Sequence, residues 1–161
     1  MALTTAQKAT LKEAILADPV LNAYPNNSDG AYDMAVFLDQ PATPDFIVWR
    51  TAVDPDEVMK NGMDWTRVDN LTIGKARIWE WMSRLGTFNP SKTNIRAGID
   101  AAWVGTAADL AVRAVVYTHC KRVATKAEKL FASGTGSDAV PATMTVEGRL
   151  PYSDIQAARS S

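Results

Sequence analysis

The chain of 161 residues contains one histidine, His119, and one cysteine, Cys120. A single thiol closes no internal disulfide, so the fold must hold by packing, as it does in reducing compartments. One imidazole and one thiol do not fill a zinc shell, and the acidic residues lack the Asp-x-Asp-x-Asp-Gly spacing of a calcium loop. No metal and no cofactor are expected. Neither charge is in excess: 17 Lys and Arg stand against 18 Asp and Glu, a net charge of −1. That balance excludes a global electrostatic pull toward nucleic acid or an anionic membrane. No apolar run approaches the ~18–20 residues that cross a bilayer, and Met1-Ala2-Leu3 gives way at once to polar Thr4-Thr5-Ala6-Gln7-Lys8. Neither a membrane span nor a signal-peptide core is expected. Internal repeats and low-complexity segments are also missing.

What is present is the composition of a packed domain. Hydrophobic residues make up 47% and charged residues 22% of the chain, with five tryptophans, and 161 residues suffice to bury a core. Helix start and stop signals recur along it. Thr4-x-x-Gln7 reads as a capping box before a helix whose Leu11 and Ile15 face inward, with Pro19 as its stop. Ser28 reads as the N-cap of a second helix with Ala31, Met34, Ala35 and Leu38 on its apolar face. Phe46 to Val53 has strand character. Asp54-Pro55-Asp56-Glu57 is a strong helix start, closed about two turns later by Asn61-Gly62.

Three longer helices follow. Thr72 is expected to cap Ile73–Leu85, with core stripe Ile78, Trp79, Met82 and Leu85, Trp81 toward the flank, and Gly86 past the end. Asn89-Pro90 opens the next, carrying Ile95, Ile99, Ala102 and Trp103. Thr106-x-x-Asp109 starts the last, with Leu110, Ala114 and Tyr117 inward, and a second box at Thr125-x-x-Glu128 predicts a bend near Ala124. The fold expected is mainly α: a bundle of about five or six helices over residues 1–133, with a strand-containing C-terminal arm over 134–161. In that arm Thr143, Met144, Thr145, Val146 and Glu147 alternate like a strand, and Tyr152 and Ile155 sit on a loose terminal helix. Gly134 and Gly136 are expected to free it for docking on a neighbour.

Candidate chemistry is sparse. His119 and Cys120 are neighbours on a predicted helix, where adjacent side chains diverge by about 100°, so a partly buried thiol and a surface imidazole are expected and no base–nucleophile pair. Asp54, Asp56 and Glu57 are explained by capping and the helix dipole. Gly134-Thr-Gly136-Ser137 and Ile73-Gly74-Lys75 lack phosphate-loop spacing. Enzyme activity is not expected. Arg113, Lys121, Arg122, Lys126 and Lys129 form a basic strip along the last helical region, able to meet DNA transiently or an acidic protein. Trp65, Trp79, Trp81 and Trp103 read as core residues first and interface anchors second.

Several local sequences resemble a family of tailed-bacteriophage virion proteins: Leu11-Lys-Glu-Ala-Ile-Leu-Ala-Asp-Pro19, Pro44-Asp-Phe-Ile-Val-Trp-Arg-Thr51, Asp64-Trp-Thr-Arg-Val-Asp-Asn-Leu71, Asn89-Pro-Ser-Lys92, Lys126-Ala-Glu-Lys-Leu-Phe-Ala-Ser-Gly-Thr-Gly-Ser137 and Pro141-Ala-Thr-Met-Thr-Val-Glu-Gly148. The resemblance covers essentially the whole chain. Small helical phage proteins with an extended C-terminal arm are similar in architecture to head–tail connector, adaptor or neck proteins that ring the portal. The resemblance implies a structural role in the virion, assembly in the host cytoplasm, a homo-oligomeric ring, and portal, tail or capsid proteins as partners. A capsid decoration or tail-associated protein is the alternative, and a DNA-binding accessory protein the second.

Overall fold

Thr4 acts as its spacing promises: its hydroxyl accepts the Gln7 N–H at 3.3 Å while the Gln7 side-chain oxygen accepts the Thr4 N–H at 2.9 Å. The box starts α1 (Thr5–Ala17), which buries Leu11 and Ile15. Asp18 then ends α1 and caps α2 (Pro19–Asn22), its carboxylate accepting the Val20 N–H at 2.8 Å. Pro19 therefore stops one helix and occupies the first position of the next, where its missing N–H is not needed. Asn27, one residue ahead of the expected Ser28, caps α3 (Ser28–Leu38) by accepting the Gly30 N–H at 2.9 Å. Ala31, Met34, Ala35 and Leu38 are buried as expected. Of the strand-like stretch Phe46 to Val53, only β1 (Ile47–Trp49) is strand.

Asp54 caps α4 (Pro55–Lys60) through the Asp56 N–H; Glu57 closes no box there and instead accepts the Arg50 guanidinium at 2.8 Å. A helix absent from the expectations, α5 (Trp65–Asp69), is opened by Asp64. Next come α6 (Ile73–Ser83), α7 (Thr93–Ala102) and α8 (Ala107–His119). Helix α7 starts three residues later than Pro90, and Arg96 reaches back to donate to the Pro90 and Ser91 carbonyls at 2.7 and 2.9 Å. The box at Thr106 and Asp109 opens α8 as expected. The chain does more than bend near Ala124: Cys120 ends α8, β2 (Lys121–Val123) follows, and the Thr125–Glu128 box starts a separate α9 (Lys126–Phe131). Strands β3 (Ala132–Ser133) and β4 (Thr143–Met144) precede α10 (Tyr152–Ser160).

The computed structural model describes residues 2–160 and is mainly α: 55% helical, with ten helices among those residues. The strands form two small sheets, β1 with β2 and β3 with β4. In the second, Ala132 pairs with Met144 and Ser133 with Thr143, antiparallel. Residues 1–133, expected to hold five or six helices, hold nine of the ten, four of them of four to six residues, and the chain divides into two compact units. Unit 1 comprises the residues up to Val48 together with those from Val123 onward; unit 2 is Trp49–Arg122. The boundary expected at residues 133 and 134 is not where the structure divides.

Unit 1 is built on α1, α3, α9 and α10, with Leu11, Ala31, Met34 and Ile155 among its most deeply buried side chains. Each of the large ones, Leu11, Met34 and Ile155, contributes ~1.5–3 kcal/mol on withdrawal from water before chain entropy is counted. A smaller cluster within the same unit gathers Val48, Ala124, Ala142 and Met144. Unit 2 packs Trp79, Ile99, Trp103, Val116 and Cys120 together, and the Trp79 and Trp103 rings meet edge to face at 5.4 Å, the geometry their quadrupoles favour. All five tryptophans lie in unit 2.

Candidate interaction surfaces

The residues expected to form a docking arm are components of unit 1. Thr143 and Met144 pair with β3, so the strand edge finds its partner within the same chain. The Thr145 hydroxyl donates to the Phe131 carbonyl at 2.7 Å. Val146 lies in the core, and Ile155 is fully buried. Glu147 and Tyr152 face solvent. The terminal helix is not loose: Asp154 accepts the Leu3 N–H at 3.1 Å and pairs with Lys8 at 3.8 Å, while Arg159 donates to the Tyr24 and Pro25 carbonyls. Gly136 is no hinge. It sits at φ +67 with the Phe46 ring 2.2 Å from where a Cβ would stand, so the glycine permits close approach. Glu128 adds a tie that sequence reasoning missed. One oxygen completes the Thr125 cap and the other accepts the Gly148 N–H at 2.9 Å, which satisfies a carboxylate that is 1% exposed.

The five cations of the expected basic strip do not share one helix face. Arg113, on α8, pairs with Asp100 at 3.4 Å. Lys121 and Arg122 belong to β2, and Lys126 and Lys129 to α9 in the other unit. The strip is broken because Cys120 ends one helix and Thr125 begins another, so the 100° rotation per residue that would align them is interrupted. Lys126 lies over the Phe37 ring at 3.5 Å and Lys129 over the Phe46 ring at 5.6 Å, each held by the ring's negative face. Both also line an open groove of about 750 Å³ in unit 1, whose walls include Leu21, Phe37 and Leu130.

The residues with chemical potential serve as structural ties. Burial pushes the Cys120 thiol up to about 12, so it is protonated at neutral pH and a poor nucleophile. The His119 ring nitrogens lie 2.9 Å from the Asn61 carbonyl oxygen and 3.6 Å from Glu57. Arg50 donates both to Glu57 and to the His119 carbonyl, and its hydrogen bond holds the Glu57 carboxyl below its ordinary value. Asp109, the partner of Thr106 in the α8 cap, accepts the Arg67 guanidinium at 2.8 Å. That bond, with the Thr106 backbone, lowers its pKa to about 2. Tyr117 donates to Asp100 at 2.9 Å, and burial first, that bond second, raises its phenol. Among the described residues no group of three or more His, Cys, Asp or Glu side chains is placed to hold a metal ion, and no helix is long and apolar enough to cross a membrane.

Several apolar residues expected inside are outside. Leu85 falls beyond the end of α6 and is exposed, as is Trp65 at the start of α5. On α8 the inward face is Asp109, Val112 and Val116, so Leu110 and Ala114 point to solvent and Tyr117 is half-buried. The surface pattern is organised on two helices. Along α6 and the turn after it, Ile73, Arg77, Glu80, Trp81, Arg84 and Leu85 are all exposed and fall on one side at near-helical spacing, Glu80 being paired to Arg84. Trp81 is 69% exposed there, in agreement with its expected place off the core stripe. On α3, beyond Ser28 at its start, the exposed positions are Asp29, Tyr32, Asp33 and Val36, spaced i, i+3, i+4, i+7. No family model, curated protein or solved structure matches the chain.

Proposed function

We propose that the chain is a structural subunit of a tailed-bacteriophage particle, and more specifically a head–tail connector, adaptor or neck protein that forms a ring between portal and tail. The resemblance of its local sequences points to the virion. The observation that carries a structural role is the α6 face, where Trp81 stands 69% exposed among Ile73, Leu85 and two arginines. Tryptophan and arginine dominate the centres of protein interfaces, and a large indole left in water gains ~1.5–3 kcal/mol by burial against a partner. The engaged His119 ring and the protonated Cys120 thiol suit scaffolding better than turnover. Because residues 134–160 are built into unit 1, attachment falls to helix faces and not to a free arm.

Deleting the gene and examining the particles by electron microscopy tests the reading. Filled heads and separate, unjoined tails are the expected products, with the chain present in parental particles by mass spectrometry. Its absence from parental particles overturns the virion assignment. Its presence on the capsid lattice instead of the neck replaces the connector form with the decoration protein.

A further inference from the structure

The two exposed helix faces carry opposite charge. Asp29, Asp33, Tyr32 and Val36 make α3 apolar and acidic, with the Arg149 guanidinium 5.6 Å over the Tyr32 ring at one edge; Arg77, Trp81 and Leu85, beside the Glu80–Arg84 pair, make α6 apolar with one net positive charge. Among the described residues Asp29, Asp33 and Arg77 enter no ion pair, whereas Arg84 is paired within its own helix to Glu80. The sequence reinforces the contrast. Unit 2 holds eleven Lys and Arg against eight Asp and Glu, net +3; unit 1 holds six against ten, net −4. Beside the α3 face lies a recess of about 390 Å³ lined by Tyr24, Asp33, Val36, Phe37 and Gln40.

We propose that the α6 face of one copy of this chain docks on the α3 face of the next, with the Trp81 indole entering the recess beside Val36 and Phe37 and Arg77 meeting Asp33. The spacing agrees on both sides. Arg77 precedes Trp81 by four residues, and Asp33 precedes Val36 by three, so charge and apolar group are separated by ~4.5–6 Å along each helix. Opposite charges at matched spacing on one chain select a second copy as occupant, since each copy carries both halves. The two halves are different patches, which makes the contact heterologous: each copy leaves one α3 and one α6 face open until a ring closes or a filament grows. The proposal rests on the reading of the chain as an assembly subunit and supplies the contact that reading requires.

Sedimentation velocity on the full chain across a concentration series tests it. The parent should self-associate, more strongly at low salt. Trp81→Ala, which touches no core, and Asp33→Arg should each weaken association by about 30-fold or more, the size of an interface hot spot, with unchanged far-UV circular dichroism. The decisive arm is a mixture. Trp81→Ala retains an intact α3 face and Asp33→Arg an intact α6 face, so together they should form a one-to-one heterodimer that grows no further. A parent that stays monomeric, variants that associate as the parent does, or a mixture with no heterodimer overturns the proposal. Particle incorporation is read separately: a monomeric chain that still enters virions sinks this contact and leaves the structural role standing, whereas a self-associating chain absent from virions does the reverse.

Discussion

Replacing Trp103 with alanine measures how much of unit 2 depends on one side chain. The indole is fully buried, touches Trp79 edge to face at 5.4 Å, and is the largest completely buried side chain of the chain. Removing a tryptophan of this kind costs ~3–5 kcal/mol through lost transfer energy and the cavity left behind. The ring pair adds ~0.5–1.5 kcal/mol. One feature works the other way: the Trp103 Nε1 is buried and meets no acceptor among the described residues, a penalty of ~1–3 kcal/mol that leaves with the ring. The net expectation is a loss of about 3–4 kcal/mol, and Trp103→Phe, which keeps a ring and sheds the unpartnered N–H, should cost much less. Trp81→Ala, on the exposed face, should fall within about 0.5 kcal/mol of the parent. Urea melts followed by tryptophan fluorescence report unit 2 alone, because all five tryptophans lie there. With m of ~1–3 kcal/mol/M, Trp103→Ala should lower the midpoint by roughly 1–4 M. Equal losses for Trp81 and Trp103 would refute the helical phase assigned to α6 and the core of unit 2.

Three further outcomes follow from the same packing. Ile155→Ala should destabilise unit 1 by ~2–5 kcal/mol, and deletion of residues 138–161, which removes Val146, Leu150, Ile155 and Ala158 from the core, should leave unit 1 unfolded by circular dichroism; a truncated chain that melts like the parent refutes the placement of α10. Cys120 should resist thiol reagents in the native protein and react at once in urea. Because burial raises its pKa from 9.0 to about 12, its contribution is complete below pH 9 and is lost as pH rises toward 12, so alkaline melts of Cys120→Ala should fall less steeply than the parent's. Asp109 shows the opposite sign: its pKa is depressed from 3.8 to about 2, so its contribution is present above pH 3.8 and lost as pH falls through 2. Asp109→Asn should therefore flatten the acid limb of the stability profile, and an unchanged limb contradicts the Arg67 pairing.

The parts of the fold legible in the sequence are those whose cause is local. The boxes at Thr4, Thr106 and Thr125 and the proline-led helix after Asp54 each depend on residues within four positions, and each is in place. The Thr125 box also carried the signal that the basic strip is interrupted. What escaped depends on distant partners. Asp154 is buried because Leu3 and Lys8, some 150 residues away, satisfy it, and that is why a polar-looking tail is core. Asp109 takes an inward position on α8 because Arg67 neutralises it, which shifts the apolar face away from Leu110. Leu85 continues the periodicity of α6 past the last helical turn, where the rotation that defined the stripe has ended. The division into two units joins residues up to Val48 to those from Val123 onward, a pairing that no local pattern encodes. The exposed α6 face is half legible: the phase of Trp81 sets it off the core stripe, but only burial along the whole helix shows how far the exposed side extends.

An electron-microscopy map of the assembled particle would locate both the chain and its α6 face. The chain should lie in a ring at the junction of head and tail, with density for the Trp81 indole enclosed against α3 of the adjacent copy. A particle without the chain, or a ring in which Trp81 faces solvent and α3 touches no neighbour, contradicts this placement.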